Sequence, residues 1–480
     1  MSKREATMKP ELERILKTAD LRGWREVGIE CGAREIAVRV PPGCVTLEMK
    51  EAAPLQDPRA AIREAMERPI GTPPLRDIVR AKGKDPSALT VCIATSDITR
   101  PVPYKGEAGI LHPLLDALRA AGIRPENVTL LVGTGTHRPS TAEEKVAMFG
   151  ADVATAYRVV DHVCDDDDAM VHVGKTRSGT DILVNRAFVD ADVRIGTALV
   201  ESHFMAGVSG GRKAVCPALV SRKTIERFHS AQFLDSPRAT NLVLEGNPCH
   251  EEAVEIARRV GVDFVVNTVL DRKMALVGIY TGDLERSHEV AYRQVKAFAG
   301  VPVGREHDIV LTHGGYVGIN HYQNAKACCN ALPAVRKGGV VILVAAERDG
   351  DPVGPVTYRT LLHLLKLQGW ERYLQTLLSP SWKFTRDQWE PQMWGKVLQK
   401  VGEEGLIYCS SVIPAREAEI IPGRLGWEFI GDDAYADDAD RTRAMVQNAV
   451  VASVHDPRWR GAVPSIAFVQ EGPYAVPMAT

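Results

Sequence analysis

The sequence predicts an α/β protein: two α/β domains with mainly parallel sheets, an active-site cleft between them, and a β-rich N-terminal segment. Three observations carry that expectation. Short, wholly apolar runs alternate with amphipathic stretches, the pattern of strands buried on both faces and joined by helices. The alternation stops near Val301–Gly304, where Pro and Gly interrupt, and starts again at "HDIVLTHGGY". A chain of 480 residues also exceeds what one hydrophobic core serves.

In order along the chain, "MSKREATMKPELERILKTAD" is charged throughout and lacks the apolar region of a secretory signal. No run approaches the roughly 18 apolar residues of a membrane helix. A cytoplasmic protein with no membrane partner is expected. "EIAVRVPPGCVTLEM" alternates apolar and polar residues around a Pro-Pro-Gly turn, which makes the opening β-rich. "LTVCIATSD" is the first buried strand, "GILHPLLDALRAAGI" an amphipathic helix, and "NVTLLVGTGTH" and "ADVRIGTALVESH" further strands. "PCHEEAVEIARRVG" is a helix, followed by the strand "DFVVNTVLD" and a hairpin-like continuation. The second rhythm holds "GGVVILVAAERDG" and "GLIYCSSVI", and the tail "VPSIAFVQEGPYAVP" is a final strand assignable to either domain. Residues 1–300 are therefore expected to form a cofactor-binding catalytic domain, with 463–480 available to complete it. Residues 301–462 would form the domain that closes the cleft, with the Trp-rich 351–400 segment as a lid or dimer surface.

Composition narrows the function. A formal charge of −2 supplies no broad cationic field, and 6% aromatic residues supply few stacking platforms, so nucleic acid is not expected as a partner. Nine scattered cysteines without a C-x-x-C read as reduced thiols.

Ligands of open α/β sheets bind at the carboxyl ends of the strands. Three successive strand ends deliver charged or imidazole groups: Asp97 and Arg100, then His137 and Arg138, then His203, Arg212 and Lys213. "GVSGGRKA" lacks the phosphate-loop spacing and "GTGTHR" the third dinucleotide-fold glycine, although residues 207–213 still suit a mononucleotide phosphate. An imidazole titrates near neutrality, so His137 and His203 on neighbouring strand ends suit paired acid/base work. His229 reads equally as a metal ligand or a helix-end histidine. The run "DHVCDDDDAM" reads as a solvated acidic turn rather than a metal site. In the second domain, Gln323 and Lys326 in "HYQNAKACC" share a helical face suited to a carboxylate, with Tyr322 beside them. Trp389 and Trp394 read as core or interface.

Taken together, "SDITRPVP", "GTGTHRPST", "ESHFMAGVSGGRK" and "HSAQF", then "YQNAK" and "DQW", resemble the nickel-pincer-nucleotide lactate racemase family over roughly residues 90 to 470. The resemblance implies a racemase or epimerase of a lactate-like or larger 2-hydroxy acid, with a cleft between two domains. Its cofactor would be a pyridinium-3-thioamide-5-thiocarboxylic acid mononucleotide carrying nickel, joined covalently to Lys213, with His229 as the nickel ligand. Asp97, Ser209, Gly210, Gly211 and Arg212 would line the nucleotide, Asp97 contacting it or orienting Arg100. His137 and His203 would be the acid/base groups, one for each face of the substrate, while hydride leaves its α-carbon and returns. Arg100 and Lys326 would clamp the substrate carboxylate, and Tyr322, Gln323 and Trp389 would shape the pocket. Cofactor biosynthesis enzymes become partners, and a homo-oligomer remains open. One departure is Ile98, where the family often has His. Two other readings stand beside this one: a zinc-dependent hydrolase or lyase using His137, His203 and His229, whose wide spacing counts against it, and a non-catalytic anion-binding protein.

Overall fold

The computed structural model describes residues 10–479 apart from Tyr316 and Asp432. The chain forms two compact units, Glu51–Phe298 and a second made of Met1–Lys50 with Ala299–Thr480.

In the Glu51–Phe298 unit, a six-stranded sheet runs Leu276–Gly282, Phe264–Leu270, Val193–Leu199, Val91–Ser96, Val128–Gly133, Arg158–Asp161 from edge to edge. All neighbours are parallel except the hairpin of the first two. The inner strands are apolar because both faces are covered; every residue of Val91–Thr95 is buried. The helices around them start and stop where local chemistry dictates. Thr141 and Glu144 form a capping box on Ala142–Phe149. Asn247 caps Pro248–Val260, and Gly261 ends it in the left-handed region. The order of the sheet reverses at Val91–Ser96: the chain moves outward through Val128–Gly133 to Arg158–Asp161, then returns to the other side as Val193–Leu199. Connections leaving these two adjacent strand ends diverge, which opens a crevice at the switch point.

The second unit carries its own six-stranded parallel sheet, in the order Arg424–Leu425, Leu406–Cys409, Val335–Val344, His307–His313, Ile466–Val469, Val45–Leu47. Helices His321–Ala331, Val356–Gln368, Trp370–Leu378, Trp389–Val401 and Asp438–Val454 accompany it. The hairpin Arg25–Cys31/Arg34–Val40 is fastened to the last of these by Arg39 and Gln447, which exchange a hydrogen bond in each direction.

Two parts of the expected domain plan are corrected. Residues 1–50 leave the first unit, because Val45–Leu47 pairs in parallel with Ile466–Val469. The tail completes the second unit, since Val476–Ala479 pairs with Gly300–Val303. The chain passes from one unit to the other between Phe298 and Ala299. All nine cysteines are free and buried. Among the described residues no helix is long and apolar enough to cross a membrane.

Candidate active site

At the switch point of the Glu51–Phe298 unit, the strand Val91–Ser96 ends in Asp97, which is buried. Its Oδ1 accepts from the Thr99 amide at 3.1 Å and the Thr99 hydroxyl at 2.6 Å. Its Oδ2 lies 2.6 Å from Nδ1 of His137, which follows the neighbouring strand Val128–Gly133. Burial pushes the Asp97 carboxyl up, but the His137 hydrogen bond and charge, Thr99 and Arg100 outweigh it and hold it below its ordinary value. An ionised Asp97 accepts the Nδ1 proton, so a neutral His137 turns an unprotonated Nε2 outward; half of the side chain, 50%, is exposed. Asp97 thus pairs with His137, and the Arg100 backbone amide donates to the Asp97 carbonyl at 3.1 Å. Arg100 instead lies 4.0 Å from Glu201, with one nitrogen donating to the Thr99 carbonyl.

Beyond Val193–Leu199 comes the segment that the sequence singled out. Ser202–His203 and Gly207–Val208 close a tight antiparallel turn. Within it, His203 Nδ1 accepts the amide N–H groups of Met205 and Ala206, both at 3.2 Å. The next residues depart from expectation. Ser209 Oγ donates to the Leu199 carbonyl at 2.8 Å, and the Gly211 amide donates to Asn267 Oδ1 at 2.9 Å. Gly210 and Gly211 have φ of +77° and +50°, and a Cβ on Gly211 would meet the His288 ring at 2.7 Å. Their close approach is to the protein itself. Arg212, 1% exposed, donates to the carbonyls of Ser209 and Gly210 at 3.2 Å and of Ala206 and Val208 at 2.8 Å. It also reaches His288 Nε2 at 2.9 Å. Burial pulls its guanidinium down to about 9. Ser209, Gly210, Gly211 and Arg212 therefore staple the loop rather than face a ligand.

What the stapled loop presents is Lys213, half-buried, with Nζ 5.1 Å from the centre of the Phe228 ring. Burial, then Arg212 and Arg100, lower the ammonium to about 7. On the same phenyl ring, edge-on at 4.8 Å, sits His229, the cap residue that ends the helix Arg222–Phe228. Burial, then Lys213, hold His229 down to about 3, so its imidazole is neutral at ordinary pH. A nucleophilic amine and a neutral imidazole thus converge on Phe228. Asp165 and Asp167 of the acidic run pair with Arg222 and Lys223, a charged surface as expected.

The second unit gathers the other candidates. Asn320 caps the helix His321–Ala331. Lys326 Nζ donates to Gln323 Oε1 at 2.6 Å. The Tyr322 hydroxyl donates to Asp387 at 3.2 Å and is hydrogen-bonded by Trp389. Asp387 stands at φ +69°, a left-handed conformation that costs free energy in a residue other than glycine. Trp394 is core, as expected, stacked on His321 at 4.5 Å. Sequence reasoning missed Glu390, one residue beyond Trp389. It is 3% exposed and its Oε2 is buried without a hydrogen bond. Burial, eased by Lys326 and reinforced by Asp387, pushes this carboxyl up to about 8. A charged residue inside an otherwise apolar helix start was the available signal. His288 and Asn267, which hold the loop, had none beyond their residue type.

Among the described residues no cluster of three or more His, Cys, Asp or Glu side chains can hold a metal unaided. Comparison with known proteins agrees with the motif reading. Residues 31–241 match the model of the lactate racemase N-terminal domain and residues 304–416 that of the lactate racemase C-terminal domain. Lactate racemases of Lactiplantibacillus plantarum and Thermoanaerobacterium thermosaccharolyticum are 36% and 33% identical over 340 residues, 70% of this chain and 77% and 76% of theirs. The apoprotein structure of a lactate racemase from Thermoanaerobacterium thermosaccharolyticum superposes with a TM-score of 0.80 at 26% identity, covering 95% of this chain and 100% of that one. A Thermotoga maritima protein shares the fold, with a TM-score of 0.62 at 17% identity over 90% of this chain and 100% of its own. With both domains matched and two lactate racemases at least 33% identical over 340 residues, the chain belongs to the lactate racemase family, whose named members are isomerases.

Proposed function

We propose that this racemase inverts C2 of a lactate-class 2-hydroxy acid, with a nickel-pincer nucleotide tethered to Lys213 and its metal ligated by His229. The observation that carries the reading is the convergence of Lys213 and His229 on one phenyl ring, within a unit whose sheet also supplies His137 and His203 from the two strands that flank Val91–Ser96. The residues fit such a group. A lysine brought to about 7 offers a free amine for covalent attachment, and a histidine held neutral offers a lone pair to a soft metal. Among the described residues no group of three or more His, Cys, Asp or Glu side chains is placed to hold a metal, and a single histidine ligand suits a metal that an organic chelator brings with it. When bound, the group supplies a hydride acceptor beside a cationic centre.

The chain's own residues do the rest. His137, fixed by Asp97, takes the hydroxyl proton through Nε2. His203 does the same work on the opposite face of C2. Arg100 offers a fork and Lys326 a point charge to the substrate carboxylate. Gln323 orients Lys326, while Tyr322 and Trp389 supply apolar wall with polar tips.

The test is co-expression with the cofactor-making enzymes, then intact mass, nickel content and peptide mapping, with L-lactate conversion followed by chiral chromatography. An adduct on the Lys213 peptide, stoichiometric nickel and accumulating D-lactate are expected. Racemisation by protein whose Lys213 is unmodified would overturn the tether.

A further inference from the structure

We propose that Tyr104 is a positioning residue for the Asp97–His137 pair: its hydroxyl stands in the opening between Val91–Ser96 and Val193–Leu199 and fixes the strand end that carries Asp97. This deepens the racemase reading and rests on it.

The argument follows one buried hydroxyl. Val91–Ser96 stays paired with Val128–Gly133 through its last residue, Ser96 against Gly133. On its other side the pairing with Val193–Leu199 stops earlier, at Ala94 against Gly196. Beyond that point the Ser96 amide donates to a side chain, the Tyr104 hydroxyl, at 2.6 Å. The same hydroxyl lies 2.9 Å from Thr197 Oγ1, on the strand that has parted. Thr197 Oγ1 donates its own hydrogen to the Ala94 carbonyl at 2.8 Å. A hydroxyl has one hydrogen, so Tyr104 is the donor to Thr197, and its lone pair serves the Ser96 amide. One oxygen therefore bridges the two strands where their own ladder has ended, at the floor of the switch-point crevice.

The sequence supplies the reach. Pro101 and Pro103 lock φ within "TRPVPY". The Arg100, Val102 and Tyr104 amides donate in turn to the carbonyls of Asp97, Arg100 and Val102, which brings the chain back to the strand end it left. The ring is 2% exposed and packs edge-on to Phe149 at 5.2 Å. Burial pushes its hydroxyl up to about 12, so it stays a neutral donor. Asp97 follows Ser96 directly and reaches His137 Nδ1 at 2.6 Å. Removing the Tyr104 oxygen leaves the Ser96 amide without this acceptor, and an unmade buried hydrogen bond carries a cost that the strand end relieves by moving. Any such movement passes to Asp97 and from there to the ring it holds.

The experiment is Tyr104→Phe, which keeps the ring against Phe149 and removes one oxygen. In the cofactor-loaded chain, kcat for L-lactate should fall by about tenfold or more, with KM within about twofold of wild type, because a misplaced acid/base group costs rate rather than binding. The Lys213 adduct should stay at full occupancy by mass. A second readout uses the full chain labelled with ¹⁵N-histidine and purified without cofactor, with the His137 signals assigned from His137→Gln. In Tyr104→Phe those signals should move toward exchange averaging over both ring nitrogens, which loosened packing elsewhere would not cause. Thr197→Val removes the acceptor of the Tyr104 proton and should lower kcat in the same sense. Wild-type kcat in Tyr104→Phe, or His137 signals unchanged by that substitution, would overturn the proposal. Absence of turnover in the loaded wild-type chain would sink the racemase reading instead, and the His137 signals then decide the positioning role by themselves.

Discussion

Replacing Glu390 with Gln removes a heavily penalised buried carboxyl of the second unit while keeping its shape. Burial lifts the folded-state value from an ordinary 4.5 to about 8, Lys326 lowering it and Asp387 raising it. A carboxyl so displaced resists ionisation by about 5 kcal/mol at 1.36 kcal/mol for each tenfold change. The folded chain holds this proton more tightly than the unfolded one. The contribution is therefore fully present below 4.5, declines as pH rises from there, and is gone above about 8. Glutamine has no proton to lose. Glu390→Gln should be close to neutral at pH 4.5, more stable than wild type by about 3 kcal/mol at pH 7, and by about 5 kcal/mol at pH 9. All seven tryptophans lie in the Met1–Lys50 and Ala299–Thr480 unit, so tryptophan fluorescence in urea reads that unit alone. With a slope of about 3 kcal/mol per molar urea, the midpoints at pH 9 should differ by roughly 1.5 M. Coincident midpoints at pH 9, or a gap that widens on acidification, would refute the burial argument.

Other perturbations separate the roles within the first unit. Asp97→Asn replaces the acceptor facing His137 Nδ1 with an amide and removes the charge that supports an imidazolium; kcat should fall by about 10² to 10⁴ with little change in KM, read from initial rates of L-lactate racemisation. Lys213→Met should abolish the cofactor adduct by mass. It should also raise the melting temperature of cofactor-free protein at pH 7 and below, because an amine lowered to about 7 in the folded state costs stability that returns only as pH climbs toward 10.5. Circular dichroism follows it, and a variant that melts lower than wild type at pH 6 would count against a strained amine. Arg212→Met should destabilise the cofactor-free protein by about 3 kcal/mol, since four backbone carbonyls lose their donor at roughly 1 kcal/mol each, less what the methionine regains by packing.

How much of this was legible in the sequence follows from the range of each interaction. Buried strands and their helices are written locally, so "LTVCIATSD", "NVTLLVGTGTH" and "ADVRIGTALVESH" each lead to a strand end that carries site residues. Pairing across the chain is not written locally. Nothing near Val45–Leu47 says that its partner lies more than four hundred residues away at Ala467–Val469, and the domain plan failed there. The same limit applied within the site. The motifs named His137, Lys213 and His229, whose residue type announces chemistry. They could not reveal that the glycines of "GVSGGRK" make room for His288 and Val200, or that the arginine beside Lys213 spends its donors on carbonyls of its own loop.

That inward-facing arginine helps explain why the Lys213 ammonium is lowered to about 7. A lysine on an ordinary loop would swing its ammonium into water and keep its usual basicity. Lys213 is held against Phe228 by a turn whose own polar groups are consumed internally, with the Arg212 cation buried next to it. The loop thereby removes both routes by which a lysine keeps its charge, hydration and a nearby anion, and adds like-charge repulsion. The same turn fixes the His203 lone pair. One stapled segment therefore positions two residues ten positions apart, which a more mobile loop of identical composition would leave to solvent.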